Sequence, residues 1–318
     1  MSLISGIGSF FTQGFDFLNT LENPSEKIAG GFLDPLGGTF LNKFIPSLLN
    51  PTSILGVLAE LPSGEKEQKI KLSAEDQESV NQAHAYTQAA QNLNDSNVGE
   101  AIILSDPDIQ TAYKERYGKE VDTRDPESLK NLISHYQEKQ GLTSTGSLDD
   151  NTKECLQRDL FDKTTAELNT PDKLQVYFDE KGINYVSDGQ FTDKFYGPYY
   201  TFVHGGDCED QASFEAYCLK KAGYEAYVGV TRGVDGSGTL GTPKPSGHGI
   251  CVYKDKNGKW YTIDNGHFGK RGGFDAPGLA IAANYPLRVP YYELRDPNDF
   301  HVVDRGLMPF DPFFDYFV

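Results

Sequence analysis

The chain has 318 residues, a formal charge of −17 and enough apolar and aromatic side chains for packed cores. That acidity excludes a nucleic-acid face, because phosphate recognition needs clustered Lys and Arg and no cluster occurs, and it excludes electrostatic docking on anionic membranes. Four scattered cysteines exclude a disulfide framework or a zinc site of Cys/His spacing, and no apolar run approaches the roughly 18 residues of a membrane span.

Residues 1–62 carry few charges, and Gly30-Gly31, Pro35, Gly37-Gly38, Pro46 and Pro51 divide them into short apolar pieces. They read as a docking segment whose Phe side chains are buried in a larger assembly. The first residues lack a basic n-region and a clear cleavage site, so no secretory signal is expected, and reduced thiols and synthesis in the cytoplasm follow. Residues 63–103 read as a charged linker and a polar helix, capped by Ser73 with Asp76 and ended near Leu93 by Asn94-Asp95-Ser96-Asn97.

Residues 104–160 form a small helical module. Asp125 caps a helix that starts at Pro126, and Leu129, Leu132, Ile133 and Tyr136 recur at helical spacing. The helix ends near Gly141, a turn passes through Thr145-Gly146, and Asp149 or Asp150 caps the next helix.

Residues 165–305 read as an α+β unit. Thr170-Pro171 opens a helix through Lys181, and Ile183–Val186 is a short strand. Asp207 caps a helix that begins at Cys208, buries Ala212, Ala216 and Leu219, and stops at Gly223. A strand over Tyr224–Val230 leads to a Gly/Pro-rich loop, 232–247, that suits a substrate-gating lid. His248 opens the next strand, and the chain turns near Asn257-Gly258 and returns to Asp264. The tail, 306–318, crowds Phe310, Phe313, Phe314, Tyr316 and Phe317 into a second apolar end suited to docking.

A thiol at a helix N-terminus feels the positive end of the helix dipole, but Asp207, Glu209 and Asp210 oppose thiolate formation. Cys208 therefore needs an imidazole partner. His248, directly after a flexible loop, outranks His84 and His135 on helices elsewhere, His301 near the chain end, and His204, which is too close in sequence. Strand geometry then sets a condition on Asp264. A two-residue Asn257-Gly258 turn would pair Lys256 with Lys259 and turn Asp264 away from His248, leaving Asn265 to orient the imidazole. A three-residue loop with left-handed Gly258 pairs Asp255 with Lys259 and sets Asp264 diagonally across from His248. A five-residue loop would set His248 directly opposite Asp264, so an odd-length loop or an equivalent bulge is predicted.

Gly206-Asp207-Cys208-Glu209-Asp210 with Ala212, then Gly247-His248, then Gly258-Lys259-Trp260-Tyr261 leading to Asp264, resemble in their order the transglutaminase-like cysteine hydrolases. The resemblance implies a papain/transglutaminase-like domain in which the Cys-bearing helix packs on an antiparallel sheet. It implies that Cys208 forms a thioester, His248 shuttles the proton and Asp264 holds the imidazole tautomer. It also implies a second oxyanion donor beside the Cys208 N–H, for which Tyr199 and Tyr200 are candidates, while Gly206 lets a carbonyl approach. Tyr136, Gln137, Gly141, Leu142, Thr145, Gly146, Leu148, Asp149, Thr152 and Leu156 resemble the peptidoglycan-binding-like three-helix domain.

Together the resemblances imply a cysteine peptidase or amidase that cleaves cell-wall peptide, with no metal or cofactor. Without a secretory signal, such an enzyme is expected to travel in a virion or phage-tail-like particle, held by protein partners at residues 1–62 and 306–318. A protein-crosslinking transglutaminase, and a structural assembly protein with a vestigial hydrolase domain, are the alternatives.

Overall fold

The computed structural model describes residues 70–188, 194–235, 244–268, 272–284 and 291–306. The docking segment 1–62 and the tail beyond Gly306 lie outside the described residues. The described chain is α+β and divides into two compact units, one of residues 92–156 and the other of 70–91 with 157–306. No helix among the described residues is long and apolar enough to cross a membrane.

Helix α1 (Ala74–Gln91) starts as the sequence predicts, with the Asp76 N–H donating to Ser73 Oγ. Helices α2 (Ser96–Ser105), α3 (Pro107–Tyr117) and α4 (Pro126–Lys139) follow, and α5 (Asp150–Glu167) begins in the helical unit. The Asn94–Asn97 segment does more than end α1. Asp95 accepts the Asn97 N–H and so caps α2, a helix not anticipated from the sequence. Asp125 caps α4 at Pro126, as expected.

The motif between α4 and α5 is held from within. Gln137 is fully buried, and its Oε1 accepts the N–H groups of Thr145 and Gly146 at 2.8 and 2.9 Å. Its Nε2 donates to Ser147 O, Thr145 Oγ1 and Thr152 Oγ1. Asp149 caps α5 through the N–H and hydroxyl of Thr152, and Gly141 and Gly146 take the positive φ that the turns require. These motif residues are thus fastened to one another.

In the second unit, α6 (Pro171–Asp179) is capped by Thr170, α7 (Pro198–His204) follows Gly197, and α8 (Cys208–Lys221) follows Asp207. Helix α1, the polar helix expected after the linker, belongs to this unit. It buries Val80, Ala83, Tyr86 and Ala90, and its Thr87 hydroxyl lies 2.6 Å from the hydroxyl of buried Tyr177 on α6. Its apolar positions were masked in the sequence by the Gln, Asn and Glu residues between them. The strand expected at 183–186 reduces to one parallel bridge between Tyr185 and Gly206.

Strands β1 (Glu225–Asp235), β2 (Lys244–Lys254), β3 (Trp260–Asp264), β4 (His267–Phe268), β5 (Tyr292–Arg295) and β6 (Val302–Gly306) form one sheet in the order β4-β3-β2-β1-β5-β6. All neighbours pair antiparallel. Ile250 and Val252 join a core with Ala280 and Ile281 of α9 (Pro277–Asn284) and with Tyr292 and Leu294. A Cβ on Gly249, by contrast, would meet Glu209 of α8. Consecutive strand residues point to opposite faces, so α8 and α9 cover the two sides of β2.

The lid expected at 232–247 needs correction. The β1–β2 ladder continues through Arg232↔Gly247 to Asp235↔Lys244, and only 236–243 lie between, outside the described residues. Pro245 misled the sequence reading. At this end β2 extends past β3, which pairs with Cys251–Lys254, so a missing N–H on the open edge breaks no ladder bond.

The Gln137 network yields a measurable expectation. Gln137→Ala orphans two backbone N–H groups and should cost on the order of 3 kcal/mol, read as a lower denaturation midpoint of the full chain. An unchanged midpoint would show that the network does not hold the turn.

Candidate active site

Cys208 occupies the first position of α8, after Asp207. The helix is placed by its termini. At the N-terminal end Asp210, fully buried, accepts the N–H groups of Tyr196 at 2.7 Å and Asp207 at 3.4 Å. At the C-terminal end Gly223 adopts φ +93°, and Tyr224 N–H closes on Leu219 O. Gly206 is pinned too: its N–H reaches Asn184 O, its carbonyl accepts from Val186, and a Cβ there would lie 2.3 Å from Asp210 Cβ. This is a close approach that only glycine permits.

The helix start presses directly on β2. A Cβ on Gly249 would fall 2.4 Å from Glu209 Cα and 2.7 Å from Glu209 N, so the backbones touch where a side chain would separate them. Past the end of β3, the Gly249 N–H finds Cys208 Sγ at 3.5 Å. His248 is therefore the residue beside the thiol's own contact.

The β2–β3 hairpin has the odd register. Asp255 N–H donates to Lys259 O, Gly258 has φ +78°, and Cys251 pairs with Ile263. Extending this register sets Asp264 opposite Ile250 and diagonal to His248, and His248 Nε2 lies 2.8 Å from Asp264 Oδ1. Asn265 does not replace Asp264 but supports it, its Nδ2 donating to Asp264 Oδ1 at 3.1 Å.

The surroundings of the thiol are acidic. Cys208 Sγ donates to Glu209 Oε2 at 3.1 Å. Burial first, and then the carboxylates of Glu209 and Asp207, push the thiol up to about 12 against the favourable Gly249 N–H. Both effects favour the neutral thiol. Asp207, Cys208 and Glu209 each place a donor atom within 4.8 Å of the others, yet three adjacent residues of this kind are an acidic cluster and not in themselves a metal site.

Tyr199 and Tyr200 are engaged elsewhere. The Tyr199 hydroxyl donates to Gln157 Oε1 at 3.5 Å, and its ring meets Phe161 and the Arg158 guanidinium. Tyr200 stacks on Tyr196 at 4.1 Å and packs on His204. Tyr185, which sequence reasoning did not consider, is an aromatic residue close to the Cys208 turn. The bridge to Gly206 sets it beside the Cys208 turn, and the residue is 58% exposed. Burial raises its pKa, followed by the charges of Cys208, Asp207, Glu209 and Asp264, so its hydroxyl lies within their electrostatic reach. The signal available in the sequence was weak: one Tyr in a short apolar stretch upstream of the double glycine.

Cys218 and Cys251 are fully buried and pack as small core hydrophobes. Comparison of the chain with family models, curated proteins and solved structures found no match.

Two substitutions test this geometry. Gly249→Ala forces the helix start off the strand and should slow iodoacetamide alkylation of Cys208 by about tenfold or more; an unchanged rate would mean the contact is slack. Glu209→Gln removes the nearest negative charge, so the Cys208 pKa should fall and its alkylation at mildly alkaline pH should accelerate. A pH–rate profile superimposable on the unsubstituted protein's would show that the Glu209 charge does not act on the thiol.

Proposed function

We propose that Cys208, His248 and Asp264 form a cysteine-nucleophile acyl-transfer centre that hydrolyses amide bonds of cell-wall peptide. The observation that supports this most is the 2.8 Å His248–Asp264 contact on a strand whose next N–H meets the Cys208 sulfur. With Nε2 held by Asp264, His248 Nδ1 takes the thiol proton as Sγ attacks the amide carbonyl and the S–C bond forms. The Cys208 N–H and the Tyr185 hydroxyl donate to the oxyanion, Tyr185 taking the part first considered for Tyr199 or Tyr200. As the intermediate collapses, the C–N bond breaks, His248 passes its proton to the departing amine, and a thioester remains. Water, deprotonated by His248, attacks the thioester, and the C–S bond breaks to release the acid and restore the thiol.

Cell-wall peptide as substrate draws on the resemblance of the helical unit to wall-binding modules. The apolar composition of 1–62 and of the tail supports carriage in a virion or similar particle. A second reading, an assembly protein with an inert site, is favoured by the pKa of about 12 at Cys208.

Treating purified cell walls with the full chain separates these readings. Peptide release should vanish in Cys208→Ala, fall by roughly 10²–10⁴ in His248→Ala, and fall by roughly 10² in Tyr185→Phe, with each variant folded. Release that persists in Cys208→Ala overturns the thioester mechanism. No release by the unsubstituted protein favours the inert site, and product linked to an added amine favours transglutaminase chemistry.

A further inference from the structure

Helix α8 carries an acid that the proposed chemistry does not use. Glu215 is fully buried, about two turns beyond Cys208. Its Oε1 accepts the Gly266 N–H at 2.7 Å, and its Oε2 is buried without a partner. Gly266 belongs to the turn that joins β3 to β4. Asn265 (φ +49°) and Gly266 (φ +84°) are both left-handed, and Asp264 pairs with His267 across them. A Cβ on Gly266 would lie 2.0 Å from Phe178 Cβ, so α6 closes the turn from another side.

The ionisable groups around Glu215 are Asp264 from β3, Cys251 from β2 and Cys218 on its own helix. Burial pushes the Glu215 carboxyl up to about 8, opposed by the Gly266 N–H and reinforced by Asp264. At neutral pH the side chain is largely a neutral carboxyl, which still accepts a backbone hydrogen bond and places no second full charge beneath Asp264.

We propose that Glu215 is a positioning residue: it ties the Asp264–His267 turn to the helix that bears Cys208, so one helix fixes both the thiol and the carboxylate that orients His248. The inference rests on the proposed Cys208–His248–Asp264 centre. Glu215 acts through Asp264 and touches neither sulfur nor substrate.

The test is iodoacetamide alkylation of Cys208 in the full chain, followed by peptide mapping from about pH 6 to 9, where the general base acts. Glu215→Leu keeps the bulk and removes the acceptor. It should slow alkylation by a factor of about 10 to 10² and reproduce the pH profile of Asp264→Asn. The double variant should be no slower than Asp264→Asn alone, because the two residues act in series. Glu215→Gln, which keeps an acceptor for Gly266, should restore the rate to within about twofold of the unsubstituted protein.

A folded Glu215→Leu with the unsubstituted rate, or additive losses in the double variant, overturns the proposal. If Glu215→Leu does not fold, Glu215→Gln decides: a tenfold loss there overturns it, and a retained rate supports the acceptor role. His248→Ala distinguishes the two levels. If that substitution leaves alkylation unchanged, the cysteine centre itself fails and takes the inference with it. If it slows alkylation while Glu215→Leu does not, the inference alone fails.

Discussion

The contact between the start of α8 and Gly249 is the constraint on which the site depends. A helix normally packs about 10 Å from a sheet because side chains separate the two backbones. Here Gly249 has no side chain, and the space a Cβ would take is already filled by Glu209. The close approach brings the Gly249 N–H to the sulfur, and His248 is the next residue along the strand. Gly206 does the same work one turn earlier, where Asp210 fills its missing side chain. Two glycines thus bring three segments to one point, and the two acids that follow Cys208 supply the packing atoms, Glu209 against Gly249 and Asp210 against Gly206. Glu209 and Asp210 are as much part of the frame as of the electrostatics.

This double use explains why the chemistry-bearing residues were legible in the sequence and their supports were not. The hairpin register could be argued from Asn257-Gly258 and the need to bring Asp264 to His248, because a one-residue change in loop length reverses every side chain. The structure has the register that keeps Asp264 in place, with Gly258 left-handed. Helix α8 could be read from Asp207, its apolar spacing and Gly223. Glu215 could not. A charged residue in an amphipathic pattern is ordinarily assigned to solvent, and its burial depends on a turn fifty residues away in sequence. Tyr185 was missed for a similar reason, since a single parallel bridge leaves no periodic trace. The reading of 232–247 as a lid failed because Gly and Pro were weighed as loop formers without regard to the open edge on which Pro245 lies.

The helical unit shows how far a motif can be carried. Gln137, Thr145, Gly146, Asp149 and Thr152 bond to one another and close the turn between α4 and α5. Their recurrence in a sequence reports that this turn is built. It does not report a ligand, because the polar atoms named in the motif are spent on the turn itself. Any affinity of this unit for wall material must come from other surfaces of it, and the fold and the binding are separate questions here.

The acidity of the site bears on how the chemistry must run. A cysteine whose pKa lies near that of its imidazole partner can rest as a thiolate–imidazolium pair, ready to attack. With burial, Glu209 and Asp207 acting together, Cys208 is pushed up to about 12, which disfavours the thiolate of such a pair. Under the proposed mechanism, proton transfer to His248 would accompany attack on the carbonyl, and the Asp264 carboxylate would stabilise the imidazolium as it forms. The thiol's hydrogen bond to Glu209 must break in the same event. In the proposed mechanism such a centre reacts slowly with free electrophiles and fastest once a substrate carbonyl is seated against the Cys208 N–H. Glu209 thus serves twice: its backbone and Cβ pack on Gly249, while its carboxylate, with that of Asp207, favours the protonated sulfur.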